Sequence, residues 1–271
     1  MYDSHLHTVS SDGRNTVDEM CRAAIAANVD GIMITDHADM NFYASRDTYC
    51  RIKNGIEQIR VAQQTYAQQL QLLCGVELGE YLYAPDSAKR ILELTEYDAV
   101  LCSVHFVPNE QWNQPYNRIP FSRIGTDKEL LEYLKLYLEL LSRTVDSFEF
   151  DILAHLSCPV RYMTGLHGRN ADIMQFEPLI REILKKVIDR NIALEWNTGG
   201  MHSKFRFCCI QNEEVFSLYR SMGGELVTLG SDAHSIGSIA NDFVNAKALL
   251  KQCGFTQYHY FKNRIPYSIV L

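Results

Sequence analysis

The stretch His5-Leu-His-Thr-Val-Ser-Ser-Asp-Gly13 decides the fold, because it joins a predicted strand directly to potential metal ligands. Residues 1–7 are predicted to form a first strand, in which side chains alternate between two faces. His5 and His7 therefore share one face, and Asp12 follows in the next loop. One strand end thus carries three potential ligands before any helix begins.

The same pattern, a ligand-type residue at the end of an apolar run, recurs along the chain. The further candidates are His37, Glu77, His105, His155, Asp232 and His234. Six of the nine histidines belong to this series. Imidazole and carboxylate ligands together suit Zn, Fe or Mn, and a zinc ion normally takes only about four ligands. We therefore expect two to three divalent metal ions per chain.

Short apolar runs alternate with amphipathic segments over the whole chain. Strands are predicted at residues 1–7, 31–35, 72–77, 99–105, 152–155, 192–196 and 225–229. Helices are predicted at residues 16–28, 46–70, 127–147, 172–190, 212–222 and 239–253, with a short one beginning at Pro85 and a tail after the last. Strands that alternate with helices indicate βα units and a parallel sheet.

Seven βα units without a Gly-x-Gly-x-x-Gly loop favour an α/β barrel over a doubly wound dinucleotide fold. Such TIM-like barrels carry their chemistry at the carboxyl ends of the strands. The candidate ligands lie at or near such ends, except Asp12, which lies in the first βα loop. No linker or repeat divides the chain, so we expect one unit over residues 1–271.

Composition and charge restrict the partners. Hydrophobic content of 46% and charged content of 22% are typical of a globular protein. No apolar run is long enough to cross a membrane, and the eight cysteines contain no Cys-x-x-Cys pair. From the polar opening we expect no signal peptide. We expect a cytoplasmic protein with reduced thiols and no membrane partner. A net charge of −7 argues against nucleic acid, but bound cations would let the site accept a small phosphorylated substrate.

Three motifs resemble those of the polymerase-and-histidinol-phosphatase (PHP) superfamily: residues 5–13, Ile-Thr-Asp-His37 and Gly-Ser-Asp-Ala-His234. Within it, Ser-Val-His105, Ala-His155 with Arg161-Tyr162, and Glu195-Trp-Asn-Thr-Gly199 are most similar to the histidinol-phosphate phosphatase branch. The resemblance implies a distorted (β/α)7 barrel with a trinuclear metal site. It also implies hydrolysis of L-histidinol phosphate to L-histidinol and phosphate, in histidine biosynthesis.

The resemblance further implies three sets of metal ligands. The first set is His5, His7, Glu77 and Asp232, the second is Glu77, His105 and His155, and the third is Asp12, His37 and His234. Glu77 would bridge the first two ions. Many relatives have a histidine where Asp12 stands, so Asp39 is an alternative ligand. Asp36 precedes His37 and would point to the opposite face, so we interpret it as structural.

Arginines in two βα loops are candidates for binding phosphate, because a guanidinium matches phosphate oxygens in a bidentate way. Arg161 lies in the fifth βα loop and Arg206 in the sixth, near His202 and Lys204. Glu195 and Asn197 alternate on one face of the sixth strand, where they could bind substrate or belong to a structural network. The residues expected to take part in catalysis are Arg161, Arg206, Asp232 and His234, and those expected to bind substrate are Arg161, Arg206, Glu195, Asn197 and His202.

The prediction is a metal-dependent phosphomonoesterase, in which bound ions lower the pKa of water toward neutrality. Three alternatives remain open. One is a phosphoesterase of the same superfamily that acts on another phosphomonoester, a nucleotide or a nucleic-acid end. Another is a metal-binding barrel without catalysis, although the ligand set looks complete. A C–N hydrolase of the amidohydrolase type is also conceivable, but no bridging lysine is apparent at a strand end.

Overall fold

The computed structural model describes residues 1–108, 114–201 and 212–271. Its strands are β1 (Tyr2–Leu6), β2 (Gly31–Ile34), β3 (His37–Asp39), β4 (Gln71–Gly79), β5 (Ala99–Ser103), β6 (Ile152–Leu153), β7 (Ala193–Asn197), β8 (Val227–Gly230), β9 (Gln257–Lys262) and β10 (Ile265–Val270). The parallel order is β1-β2-β4-β5-β6-β7-β8, and β3 pairs with β4 beyond the end of β2. The seven predicted strands are all present in the predicted order.

The two ends of the parallel sheet meet near their carboxyl ends. Leu6 forms a parallel bridge with Ala233, and the His7 N–H donates to the Ala233 carbonyl over 2.9 Å. The strand β9 also lies beside β8, and the two strands pair at Thr228 and His259. The result is a distorted (β/α)7 barrel, so the predicted fold class is confirmed.

The helices are α1 (Val17–Ala26), α2 (Thr48–Tyr66), α3 (Pro85–Leu92), α4 (Asp127–Val145), α5 (Cys158–Val160), α6 (Glu177–Asp189), α7 (Asn212–Ser221) and α8 (Phe243–Gln252). Thr16 and Thr126 begin α1 and α4 with capping boxes completed by Glu19 and Glu129. Pro85 occupies the first turn of α3, as predicted from its fixed φ.

Three predicted helices are shorter in the structure. The helix predicted at 46–70 spans Thr48–Tyr66, because Asp47 takes a left-handed φ of 48° just before it. The helix predicted at 172–190 begins with a 3₁₀ turn over Ile173–Phe176, and the α-helical part starts where Pro178 fits the first turn. The helix predicted at 239–253 begins only at Phe243, after Asp242 with φ 61°.

The barrel interior is apolar below the strand ends that carry the candidate ligands. Its buried residues are Met33, Leu73, Ala99, Leu101, Ile152, Ala154, Ala193 and Phe261. Leu73 lies four residues before Glu77 on β4 and therefore shares its face. The polar cluster thus lies directly above buried apolar side chains, where an uncompensated charge would be costly.

The helices pack on the outside of the barrel. On α4 the buried residues Leu130, Leu134, Leu138 and Leu141 form the predicted apolar stripe.

The predicted C-terminal tail is instead an antiparallel hairpin, β9–β10. Its two-residue turn contains Asn263 and Arg264 with φ 51° and 63°, as a type I′ turn requires. The Asn263 N–H donates to Asp98 Oδ1 over 3.0 Å, and Arg264 Nε donates to Asp151 Oδ1 over 2.9 Å. The hairpin is therefore anchored to residues that precede β5 and β6, at the amino ends of the barrel strands.

No helix among the described residues is both long and apolar enough to cross a membrane. The described cysteines, Cys21, Cys50, Cys74, Cys102, Cys158 and Cys253, carry free thiols, and all but Cys50 are buried. Cys208 and Cys209 lie outside the described residues.

Candidate metal centre

All nine candidate ligands converge at the carboxyl end of the barrel. Four groups of their ligand atoms lie within 4.8 Å of one another: His7, Asp12, His37 and His234; His5, His7 and Asp232; His5, Glu77 and His155; and His37, Glu77 and His105. Parallel strands bring these residues together because their carboxyl ends share one rim. The structure therefore assembles side chains that are up to 229 positions apart in sequence (His5 and His234, 234 − 5).

Glu77 lies at the middle of the cluster and is fully buried. Its Oε1 is 2.7 Å from His155 Nε2 and 3.1 Å from His105 Nε2. Its Oε2 is 2.9 Å from His37 Nδ1 and 3.2 Å from His5 Nε2. Burial opposes ionisation, but the imidazoles around it hold the pKa of Glu77 well below its usual range. The two oxygens face different histidines, as the expected bridging role requires.

Asp12, His37 and His234 form the outer part of the cluster. Asp12 Oδ1 lies 3.1 Å from His234 Nε2 and 3.6 Å from His37 Nε2. His7 joins this group as well as the one around Asp232, so it stands between two potential ion positions. Burial, followed by the charges of His37 and His234, lowers the pKa of His7 to about 3. A neutral imidazole is the form that binds a metal.

Several buried atoms of the cluster have no hydrogen-bond partner, which tests whether its donor set fits metal ions. They include His5 Nε2, His7 Nε2, His37 Nδ1 and Glu77 Oε2, whose nitrogens lie 2.9–3.6 Å from that oxygen but without hydrogen-bond geometry. Buried polar atoms without partners are rare and costly. Bonds of about 2.0–2.2 Å from these nitrogens and oxygens to shared cations would satisfy them. The ligand types and their spacing therefore fit two or three divalent ions.

Two of the candidate ligand histidines contact a carboxylate through one ring nitrogen. His5 Nδ1 lies 2.6 Å from Glu195 Oε1, and His105 Nδ1 lies 3.2 Å from Asp39 Oδ1. A carboxylate on one ring nitrogen sets the tautomer and turns the other nitrogen toward a metal. Asp39, considered above as an alternative ligand to Asp12, thus contacts His105, although it also lies within 3.6 Å of His37 Nδ1.

Glu195 and Asn197, expected either to bind substrate or to belong to a structural network, contact protein groups in the structure. Neither is among the described residues that line the cavity. Glu195 Oε1 lies behind His5, and Glu195 Oε2 accepts from Asn197 Nδ2 over 3.1 Å. Both side chains are buried. Both carboxylate oxygens of Glu195 contact protein groups instead of the cavity. This geometry favours the structural network, one of the two alternatives considered in the sequence analysis.

Buried carboxylates also shape the loops that carry ligands. Asp36 accepts hydrogen bonds from the Thr8 backbone and hydroxyl, each over 2.7 Å, and from the Ser11 hydroxyl over 2.6 Å. It therefore orders the loop that presents Asp12, in agreement with its interpretation as structural. Asp3 Oδ1 accepts from the Ser231 N–H over 2.9 Å and ties β1 to the loop of Asp232.

The backbone of two candidate ligands is unusual. His155 and Asp232 have φ values of 46° and 56°, in the left-handed region that non-glycine residues seldom adopt. Such conformations concentrate at functional sites, where the surrounding structure maintains them. Each residue lies two positions after the end of a short strand, β6 for His155 and β8 for Asp232.

A cavity of about 160 Å³ opens onto the cluster. Its lining includes six of the nine candidate ligands, namely Asp12, His37, His105, His155, Asp232 and His234. Arg161 also lines the cavity, from a π-helical turn over Arg161–Leu166. Its Nη1 donates to Asp232 Oδ2 over 3.1 Å and its Nη2 to Asn197 Oδ1 over 2.5 Å. The guanidinium is thus held against a metal-ligand candidate at the edge of the cavity.

Some of the expected substrate contacts lie outside the described residues, and some residues near the cavity were not predicted from the sequence. Arg206, His202 and Lys204 lie outside the described residues, as does Trp112. Sequence reasoning did not single out Glu80, whose Oε1 accepts from the His105 and Phe106 N–H groups over 2.5 and 3.0 Å. In the sequence, the only feature that could have indicated Glu80 is its position three residues after Glu77, just beyond the end of an apolar strand. Arg46, Tyr116 and Arg118 also line the cavity, from loops without a recognisable motif.

Comparison with known proteins gives a consistent result. The family model described as the PHP domain matches residues 3–199. The chain is 27% identical to a probable histidinol-phosphatase of Clostridium acetobutylicum over 270 residues, covering 99% of this chain and 100% of that protein. It is 25% identical to a probable histidinol-phosphatase of Deinococcus radiodurans over 265 residues, covering 93% of each.

The fold is similar to that of the histidinol phosphate phosphatase from Lactococcus lactis subsp. lactis Il1403, solved in complex with Zn, L-histidinol and phosphate. The TM-score is 0.77, the sequence identity is 20%, and the match covers 98% of each chain. At this identity the likeness establishes the shared architecture.

Proposed function

Because the chain belongs to the PHP domain family, we propose that it is a metal-dependent phosphomonoesterase that converts L-histidinol phosphate and water to L-histidinol and phosphate. The two relatives described above, which match nearly the full chain, are named probable histidinol-phosphatases. The reaction would belong to histidine biosynthesis. A histidinol-phosphatase is a phosphoric monoester hydrolase, and its cofactors here would be divalent cations.

One observation carries this proposal: Glu77 stands among five histidines at the carboxyl end of the barrel, beside an arginine that lines the cavity. The residues proposed to hold the ions are His5, His7, Asp12, His37, Glu77, His105, His155, Asp232 and His234. Zn, Fe and Mn all suit this mixture of imidazole and carboxylate. When bound, such ions supply a nucleophilic water near neutral pH and offset charge on phosphate oxygens.

Arg161 is proposed to bind the phosphate group of the substrate. Its guanidinium borders the same cavity as Asp232 and His234. A fixed cation stabilises the charge on the non-bridging oxygens as the phosphoryl group is transferred, and it requires no reorganisation to do so. The hydrolysis forms a bond from water oxygen to phosphorus and breaks the ester bond, and the leaving alkoxide takes up a proton.

Arg206 and His202 remain proposals from the sequence, as a second phosphate ligand and a substrate contact. Glu195 and Asn197 are proposed to act on the site from behind, as argued below. Asp232 and His234 are proposed to take part in catalysis as candidate metal ligands that line the cavity.

The partner is a small phosphorylated molecule. We further propose that neither nucleic acid nor a membrane is a partner and that the protein works in the cytoplasm. The net charge of −7 supports the exclusion of nucleic acid, since phosphate backbones are bound by basic surfaces.

A phosphate-release assay across phosphomonoesters tests the assignment. We expect kcat/KM for L-histidinol phosphate to exceed that for glycerol phosphate and for nucleoside monophosphates by at least about tenfold, or about 1.4 kcal/mol. Equal or better turnover of the simple esters would reject the histidine-pathway substrate and leave the phosphoesterase standing. Absence of phosphate release from every ester by metal-loaded protein would reject catalysis itself.

A further inference from the structure

We infer that Glu195 and Asn197 form a hydrogen-bonded relay that positions the metal ligand His5 and the phosphate-binding Arg161 as one unit. The inference deepens the proposed function and rests on it for the role of Arg161. In this relay Glu195 and Asn197 are positioning residues, since neither lines the cavity.

The first half of the relay joins Glu195 to His5. The Glu195 Oε1 to His5 Nδ1 distance is 2.6 Å, and both side chains are buried. With Nδ1 engaged, the His5 Nε2 atom faces Glu77 Oε2 at 3.2 Å and Asp232 Oδ1 at 3.9 Å. A negative partner on Nδ1 fixes the ring and makes Nε2 a stronger donor to a cation.

The second half joins Asn197 to Arg161. The Asn197 amide nitrogen donates to Glu195 Oε2 over 3.1 Å, while its oxygen accepts from Arg161 Nη2 over 2.5 Å and from the Gly199 N–H over 2.9 Å. This arrangement determines the orientation of the amide, because the opposite one would place NH₂ against the guanidinium. Asparagine is the residue that can serve both neighbours at once.

Asp232 closes the relay into a ring around the site. Its Oδ2 accepts from Arg161 Nη1 over 3.1 Å, while its Oδ1 lies 3.2 Å from His7 Nε2. Arg161 is therefore aligned by Asn197 on one side and by a metal-ligand candidate on the other. A shift of His5 or Asp232 would move the guanidinium, and a shift of the guanidinium would disturb both.

Two glycines supply independent support, because they leave the space that the relay occupies. A Cβ atom at Gly230 would lie 2.0 Å from Glu195 Oε1 and 2.7 Å from His5 Cβ. A Cβ atom at Gly199 would lie 3.0 Å from Arg161 Nη1 and 3.1 Å from Asp232 Oδ2. At Gly230 the relay therefore excludes a side chain, because real Cβ contacts do not occur at 2.0 Å. At Gly199 a Cβ atom would be tightly packed, and its neighbours would have to move by a few tenths of an ångström.

The first test measures Zn²⁺ affinity by competition with a chromogenic chelator, without substrate. For Glu195→Gln we expect a loss of about 10–100-fold, the usual cost of removing a partner behind a metal-binding histidine. Glu214→Gln is the matched control, because Glu214 is exposed on α7, and it should bind Zn²⁺ as the wild type does. Unchanged affinity in Glu195→Gln would overturn the first half of the relay.

The second test separates the two halves with Asn197→Asp. The aspartate keeps an oxygen for Arg161 but faces Glu195 with a like charge instead of a donor. We expect Zn²⁺ affinity to fall as in Glu195→Gln, while binding of inorganic phosphate, measured by calorimetry at saturating Zn²⁺, stays close to wild type. A fall in phosphate affinity with normal Zn²⁺ affinity would contradict the relay.

A double-mutant cycle tests whether Asn197 acts through Arg161. Asn197→Leu and Arg161→Ala should each weaken phosphate binding by about tenfold or more, and the double variant should bind no more weakly than Arg161→Ala alone. Additive losses would show that Asn197 acts independently and would overturn the second half. Both readouts are independent of turnover, so failure to hydrolyse histidinol phosphate would reject the proposed function without deciding the relay.

Discussion

At the residue scale the site depends on groups whose atoms serve two neighbours at once. Glu77 divides its two oxygens between different histidines, and Asp232 divides its oxygens between Arg161 and His7. Each such residue is buried or nearly buried. Its substitution therefore leaves two buried polar partners without their hydrogen bond or ion pair. Single substitutions here should therefore have effects larger than the loss of one contact.

Glu77→Gln is the most direct test of the bridging role. The amide keeps the shape of the side chain but removes a charge, and its NH₂ cannot bind a cation. We expect loss of most activity and of at least one ion per chain, with the circular dichroism spectrum retained. Elemental analysis of the gel-filtered variant measures this, and full metal content with normal turnover would show that Glu77 is not a ligand.

Gly230→Ala tests the packing around His5 with a single methyl group. The added Cβ would overlap Glu195 Oε1, so the carboxylate must move away from His5. We expect Zn²⁺ affinity to fall by about 10–100-fold, as for loss of the carboxylate itself. Gly237→Ala is the matched control, because nothing lies within 4 Å of the Cβ that it would add. Equal Zn²⁺ affinities of the two variants would refute the inference that a side chain at position 230 displaces Glu195.

At the scale of elements, the hairpin β9–β10 stabilises the barrel from the end opposite the site. Its turn contacts Asp98 and Asp151, and Asp151 Oδ2 also accepts from the Val100 N–H over 2.7 Å. The hairpin supplies Phe261 to the barrel interior. A segment that the sequence suggested was only a tail thus completes the hydrophobic floor beneath the metal site.

Arg264→Ala should destabilise the fold without affecting the centre. The mostly buried carboxylate of Asp151 would lose its ion-pair partner. The effect is limited because Arg264 is partly exposed and solvent screens its charge. We expect a decrease of about 1–2 kcal/mol in the free energy of unfolding. Arg22→Ala, which breaks an exposed ion pair with Asp18 on α1, should change it by less than about 0.5 kcal/mol. Urea denaturation of both variants in the metal-loaded state provides the comparison.

At the scale of the whole molecule, the cluster couples metal binding to folding. The ligands come from β1, β3 and β4 and from the loops after β1, β5, β6 and β8, so an unfolded chain cannot assemble them. Several buried nitrogen and oxygen atoms of these imidazoles and carboxylates make no hydrogen bond, although they lie close to one another in the middle of the barrel. The bound ions should therefore stabilise most of the barrel and not only the rim.

Removal of metal should lower both activity and thermal stability. Ions that bind only the folded state stabilise it by about 2.7 kcal/mol at a free concentration one hundred times Kd. We expect chelation to abolish turnover and to lower Tm by several degrees, and added Zn²⁺ or Mn²⁺ to restore both. Calorimetry of the same sample before and after dialysis against chelator measures the shift, and an unchanged Tm in fully stripped protein would contradict the coupling.

The sequence by itself determined the seven strands, their order and the residues at their carboxyl ends. These features depend on local periodicity and on the rule that parallel barrels gather chemistry at one rim. The same reasoning identified the ligand candidates, because His5-Leu-His7 and Asp232-Ala-His234 repeat at the period of a strand. It could not identify what lies behind each ligand.

Only the tertiary structure decided the partners of buried polar groups. Alternation placed Glu195 and Asn197 on one face of β7 but could not show that this face meets His5 and Arg161. It also gave no sign that Asp39 contacts His105 or that the chain after α8 returns as a hairpin to Asp98 and Asp151. The physical reason is that periodicity encodes the direction of a side chain within its own element. Its hydrogen-bond partner depends on distant segments that meet only when the barrel closes.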